Sequence, residues 1–166
     1  CIRDSLDPQL ARLLEPRAAQ PQARLSAIRA LSEADIPVGV NVAPVIPGLN
    51  DHEIPEILAA AAAAGAGWAS MVMLRLPYGV QDLFVAWLED HFPSRRDKVL
   101  HRIESVRGGK RNDARFGHRM RGAGIFAEQI RTLFDLSVRR TGLGTRGPSL
   151  QTKHYRRSRS DQLVLI

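Results

Sequence analysis

The sequence predicts an α/β chain with parallel strands and helices packed outside them, and three observations carry that expectation. Apolar stripes of helical period alternate with two short runs of strand period, in the order helix, strand, helix, strand, helix. The connections are short, which favours right-handed crossovers and therefore parallel strands. Finally, 166 residues with 44% hydrophobic and 25% charged side chains suffice for one buried core and exclude wholesale disorder, collagen and coiled coil.

Pro21 suits the first position of a helix, and Leu25, Ile28 and Leu31 form a stripe with Arg24, Arg29 and Glu33 off it, so residues 21–34 are expected to be amphipathic and helical. Residues 37–43 alternate Val38, Val40 and Val42 with Gly39, Asn41 and Ala43. That is a strand whose valines face helices and whose other face is small or polar, as in a barrel strand. A turn over 44–51 follows, with Asn50 or Asp51 placed to cap a helix that runs to Ala64, tolerates Pro55 in its first turn and stops at Gly65 and Gly67. Residues 68–76 read as the second strand and 77–79 as its exit loop. Val80, Leu83, Phe84, Trp87 and Leu88 make the stripe of the next helix. Beyond Pro93 a short helix carries Val99, Ile103 and Val106, and residues 107–113 form a loop rich in glycine and charge. A last helix bears Phe126, Ile130, Leu133, Phe134 and Val138 up to Gly142.

Charge divides the chain. Residues 1–94 hold 6 Lys and Arg against 11 Asp and Glu, whereas residues 95–166 hold 18 against 6. Arginine supplies 21 of the 24 basic residues, and its planar fork suits phosphates and carboxylates. A polyanionic partner for the second half is one reading, and a merely soluble, arginine-rich surface is the other. No segment has the roughly 18 apolar residues of a membrane helix, so no membrane partner is expected and the chain reads as soluble and cytoplasmic. Cys1, the lone cysteine, forms no internal disulfide and cannot by itself hold zinc or an iron-sulfur cluster; a first residue other than methionine suggests a start inside a longer protein.

A succession of motifs then narrows the class. The stretch Leu14-Glu15-Pro16-Arg17, the run 27–31, the loop Ala43-Pro44-Val45-Ile46-Pro47-Gly48-Leu49-Asn50-Asp51-His52-Glu53, the run Leu74-Arg75-Leu76-Pro77-Tyr78 and residues 115–122 together resemble the C-terminal half of bacterial radical S-adenosylmethionine (SAM) proteins named for similarity to spore photoproduct lyase. The resemblance spans about residues 5 to 142 and implies the C-terminal part of an incomplete (β/α)6 barrel of the TIM type. Residues 1–107 would supply barrel strands and helices, 108–148 a basic helical extension and 149–166 a flexible basic tail. It implies SAM and a 4Fe-4S cluster as cofactors, with the cluster motif C-x-x-x-C-x-x-C in a half this sequence does not contain. The chain alone is then expected to be catalytically silent, and no catalytic residue is assigned.

The family's G-x-I-x-G-x-x-E pattern falls on Pro44, Ile46, Gly48 and Asp51, two of four positions agreeing. The resemblance makes Ile46 an apolar wall for adenine and Gly48 a point of close backbone approach, while Asp51 caps the next helix; as a bare turn, Ile-Pro-Gly also suits an ordinary strand-to-helix loop. Asn41 faces inward by alternation, toward a ligand or a neighbouring backbone group. Arg75 closes the second strand on the face of Met71 and Met73, as a carboxylate or phosphate ligand or as a solvent-directed or ion-paired side chain. Arg115, Arg119 and Arg121, with His118 among glycines, suit the phosphates of a nucleic acid or form a solvated face or a contact with the other half. His52, His91, His101, His118 and His154 show no paired metal-ligand spacing, and no metal site is expected. At the terminus Gln162, Leu163, Leu165 and Ile166 resemble the Q-L-x-L-F peptide of sliding-clamp binders, with Ile166 in place of the aromatic residue. A strand added to the protein's own sheet is the alternative.

Overall fold

In a computed structural model describing residues 2–3, 5–149 and 151–152, the earliest elements are two that periodicity does not announce. Ile2–Arg3 forms the short strand β1 and Pro8–Leu14 the helix α1, capped by Asp7, whose carboxylate accepts from the Gln9 N–H at 2.8 Å. Seven residues are too few to display a helical stripe. The rest follow in the expected order. They are α2 (Pro21–Glu33), β2 (Gly39–Val45), a 3-10 turn (Asp51–Glu53) leading into α3 (Ile54–Ala63), β3 (Trp68–Met73), α4 (Val80–His91), a second 3-10 turn (Pro93–Arg95), α5 (Arg96–Ser105) and α6 (Ile125–Thr141). Gly142, in the left-handed conformation, ends α6 as expected.

The three strands form one parallel sheet in the order β1-β2-β3. Gly39 pairs with Trp68 and Asn41 with Ser70, and the register slips between Val42 and Val45, where Pro44 has no N–H for the ladder. β3 accordingly ends at Met73 rather than at residue 76. Its last N–H is given to the Met120 carbonyl at 2.9 Å, and the Leu74 N–H to the Val45 carbonyl at 2.9 Å. The outer edge of β3 is tied again at its start, where the Ala69 N–H reaches the Gly144 carbonyl at 2.8 Å.

The faces of the sheet divide as the alternation predicts. Val38, Val40, Val42, Ala69 and Met73 are buried with Ile28 of α2, with Ile54, Ile57, Leu58 and Ala61 of α3, and with Ala127, Ile130, Phe134 and Val138 of α6. Burying one such side chain contributes roughly 1.5–3 kcal/mol. A second cluster gathers around the strand ends: Ile46 and Leu76 meet Leu10 of α1, Leu88 of α4, and Val99, Leu100 and Ile103 of α5. On the opposite face Gly39, Asn41, Ala43 and Val72 are half-buried and Ser70 is exposed. Trp68 closes the lower end of that face, its ring so near Gly39 that a Cβ there would overlap it; Gly147 lies against the same ring.

Three stripes are less buried than their periodicity suggests, that of α6 at Phe126, which is exposed. Leu31 is exposed, so α2 meets the core through Ile28 and Leu25. On α4 only Leu88 is fully buried, Val80 and Leu83 (72%) being exposed. Phe84 and Trp87 stack at 5.6 Å and pack on the second cluster, and the Trp87 indole donates to the Leu13 carbonyl at 3.2 Å. Among the described residues no helix is long and apolar enough to cross a membrane.

Candidate functional site

The loop after β2 carries the residues that the motif singles out, and it bonds to itself. The Asn50 Oδ1 accepts from the Ile46 N–H at 2.7 Å while its amide donates to the Pro44 carbonyl at 3.0 Å, so one buried side chain satisfies both limbs of the turn. The Asp51 carboxylate accepts from the Gly48 N–H at 3.0 Å and lies 3.7 Å from the Arg102 guanidinium. Neither residue caps α3, which starts at Ile54 after Glu53 without a side-chain cap. The helix start is displaced because both side chains are held by the loop. Gly48 has φ +84°, a conformation that asks for glycine, and a Cβ there would come within 2.9 Å of the Arg102 Cδ, so that flexible side chain would have to move aside. Ile46 is fully buried in the second cluster and presents no surface for a flat ring in this structure.

Glu53, which pattern reading passes over, holds the start of the chain to this loop. Its carboxylate accepts from the Ser5 hydroxyl at 2.8 Å and from the Leu6 N–H at 2.7 Å, with Ser5 wholly buried. Two clefts share Leu49, His52 and Arg95 beside it. One, of about 750 Å³, also includes Leu10, His91 and Phe92; the other, of about 550 Å³, includes Asp51, Lys98 and Arg102. His52 and His91 thus come into one cleft although their sequence spacing gave no sign of it.

The loop after β3 is the opposite case. Arg107, at the end of α5, is 3% exposed and reaches back over the end of β3: one terminal nitrogen donates to the Leu74 carbonyl, the other to the His118 carbonyl at 3.1 Å. Among the described residues its Nε has no partner. Neither does the buried Nε of half-buried Arg75, the residue next to Leu74. Burial lowers the Arg107 pKa from the ordinary guanidinium value, Asp113 opposes the shift and Arg75 adds to it. Met71 and Met73, expected to share a face with Arg75, pack on the helix-side core, so they line no open site with it.

Asn41 does face the uncovered side, its Oδ1 accepting from the Ser70 hydroxyl at 3.0 Å. Of the arginines read as phosphate contacts, Arg115 is committed to Asp113 by a two-pronged fork, Nε to Oδ1 at 3.0 Å and Nη2 to Oδ2 at 2.8 Å. That fork holds the Asp113 carboxyl well below the usual carboxylate range. Arg119 lies 5.4 Å over the ring of Phe116, which is 88% exposed, and Arg121 is exposed. Gln162, Leu163, Leu165 and Ile166 lie outside the described residues, as does Cys1. Among the described residues no group of three or more His, Cys, Asp or Glu side chains is placed to hold a metal ion, so the residues present do not fit an iron-sulfur cluster.

No protein-family model matches the chain, and no solved structure matches it. Over 89 residues, 52% of its length, it is 37% identical to an uncharacterized protein of Mycobacterium tuberculosis (strain ATCC 25618 / H37Rv) and to one of Mycobacterium bovis. The match covers 26% of each relative, so the chain aligns with about a quarter of the length of the curated relatives.

Proposed function

We propose that this chain is the C-terminal portion of a cytoplasmic radical SAM enzyme, forming the last strands of a partial (β/α)6 barrel of the TIM type. The observation that carries the reading is the one-sided sheet. Parallel sheets are covered on both faces or closed into barrels. Here the helices lie on the valine face, while the face of Gly39, Asn41, Ala43 and Ser70 is small, polar and partly open. In such a barrel this face would look inward, with Trp68 against Gly39 at its lower end and the ligand region at the strand C-termini.

This chain's own residues would form a wall, not a redox centre. The Asn41–Ser70 pair fixes one polar layer of the interior, and Gly48 and Asp51 hold the β2 loop in shape. Because the sequence holds a single cysteine, no metal-holding group is found among the described residues and Ile46 is buried, this chain's own part would be neither the cluster site nor the adenine wall. The test is the DNA upstream of the Cys1 codon, read in all three frames. A C-x-x-x-C-x-x-C motif in frame or one frameshift away is expected, and its absence contradicts the reading.

A second reading is favoured by one observation: Phe116 stands almost fully exposed in an arginine-rich loop with Arg119 stacked on it and Arg121 open to solvent. Such a surface suits nucleic-acid phosphates with one base stacked on the ring. Replacing Arg119 and Arg121 by alanine is expected to weaken DNA binding and to flatten its salt dependence by about 1 to 2 in log–log slope. Unchanged affinity in a filter-binding titration would remove this reading. Recruitment to a sliding clamp through the terminal peptide is a further proposal, tested by deleting Gln162 to Ile166.

A further inference from the structure

We infer that Arg75 and Arg107 form an oxyanion site at the C-terminal end of β3, built for a carboxylate or phosphate group of a small ligand. The inference stands on these two residues and survives if the radical SAM reading fails.

Burying a guanidinium is costly unless its charge and its N–H groups are matched. Arg107 is almost wholly buried, yet both acceptors it reaches are neutral carbonyls, those of Leu74 and His118. They fix the position of the guanidinium without neutralising it, and its Nε–H is left over. Arg75, which directly follows the Leu74 whose carbonyl Arg107 grips, carries a second buried Nε–H without a partner among the described residues, and its charge is one of those that act on Arg107. No carboxylate among the described residues forms an ion pair with either of them. Asp113 is the acidic group that acts on Arg107, and the Arg115 fork already occupies both of its oxygens. The Arg75 charge thus acts unfavourably on Arg107, and each side chain keeps a spare buried donor that an anion could take up. An oxyanion with two or more oxygens would accept from both guanidinium groups and offset that effect. The ends of parallel strands are also where α/β folds take their ligands.

The test is thermal unfolding of the chain against inorganic phosphate and, separately, sodium acetate, with sodium chloride holding ionic strength constant. A saturable rise of the midpoint by about 2 to 4 °C is expected with one of the two anions. A rise with phosphate alone assigns a phosphate ligand; a rise with acetate alone assigns a carboxylate. Arg75→Gln is expected to abolish the rise, and Arg139→Gln, an exposed arginine of α6, to keep it. Should Arg75→Gln fail to fold, Arg75→Lys keeps the charge without the fork and is expected to lose most of the response. No rise with either anion, or an equal rise in the wild type and the Arg75 variant, overturns the site.

Discussion

The loops that leave β2 and β3 lie side by side at one end of the sheet and treat their polar groups in opposite ways. After β2, Asn50 and Asp51 spend their side chains on the loop's own backbone, and Glu53 spends its carboxylate on Ser5 and Leu6. After β3, Arg75 and the Arg107 that bonds to the Leu74 carbonyl each retain a buried donor. A motif shows where on the chain to look, whereas a hydrogen-bond account shows which groups are still able to take a ligand. The motif points to the first loop, and the account points to the second.

The contrast is broken most severely at Asn50. Asn50→Ala strands the Ile46 N–H and the Pro44 carbonyl in a buried turn, at about 1–3 kcal/mol for each unsatisfied group. A loss of about 3 kcal/mol is expected in a chemical denaturation series. A loss below about 1 kcal/mol would mean that water satisfies the turn and that the loop is less self-contained than its geometry indicates. Gly48→Ala comes next. The positive φ disfavours a Cβ by about 1–2 kcal/mol, and the Arg102 side chain must also retreat. The midpoint should fall accordingly without altering any response to phosphate or acetate, since the second loop is untouched. The smallest effect belongs to Arg75→Gln in the absence of added anion. Removing one of two like charges should leave stability unchanged or slightly raised, and a loss above about 1 kcal/mol would reveal a partner that satisfies Arg75.

The sequence reveals the elements far better than the partners. α2, α5, α6 and the valine face of β2 are legible because each repeats an apolar residue at its own period for two or more turns or pairs. β1 and α1 are too short for that signal, and the exposed stripe of α4 shows that periodicity predicts a helix without saying what covers it. The candidate site was half legible. Asn41, Gly48, Asp51 and Arg75 stand out by position or motif, but Arg107 reads as one more charge in a loop. Its bond to Leu74 joins residues 33 apart, and the Ser5–Glu53 bond joins residues 48 apart. Local patterns carry no trace of pairings at such separations, which arise only when the sheet brings strand ends together.

The central claim is that the uncovered face is the interior of a radical SAM barrel whose cluster lies elsewhere. Its most direct test is 5′-deoxyadenosine release from SAM under strong reductant and without oxygen, comparing this chain alone with the same chain joined to a half bearing C-x-x-x-C-x-x-C. The account predicts a cluster and 5′-deoxyadenosine from the joined protein and neither from the chain alone. A stoichiometric cluster on the chain alone, or a cluster-loaded joined protein that leaves SAM intact, would contradict it.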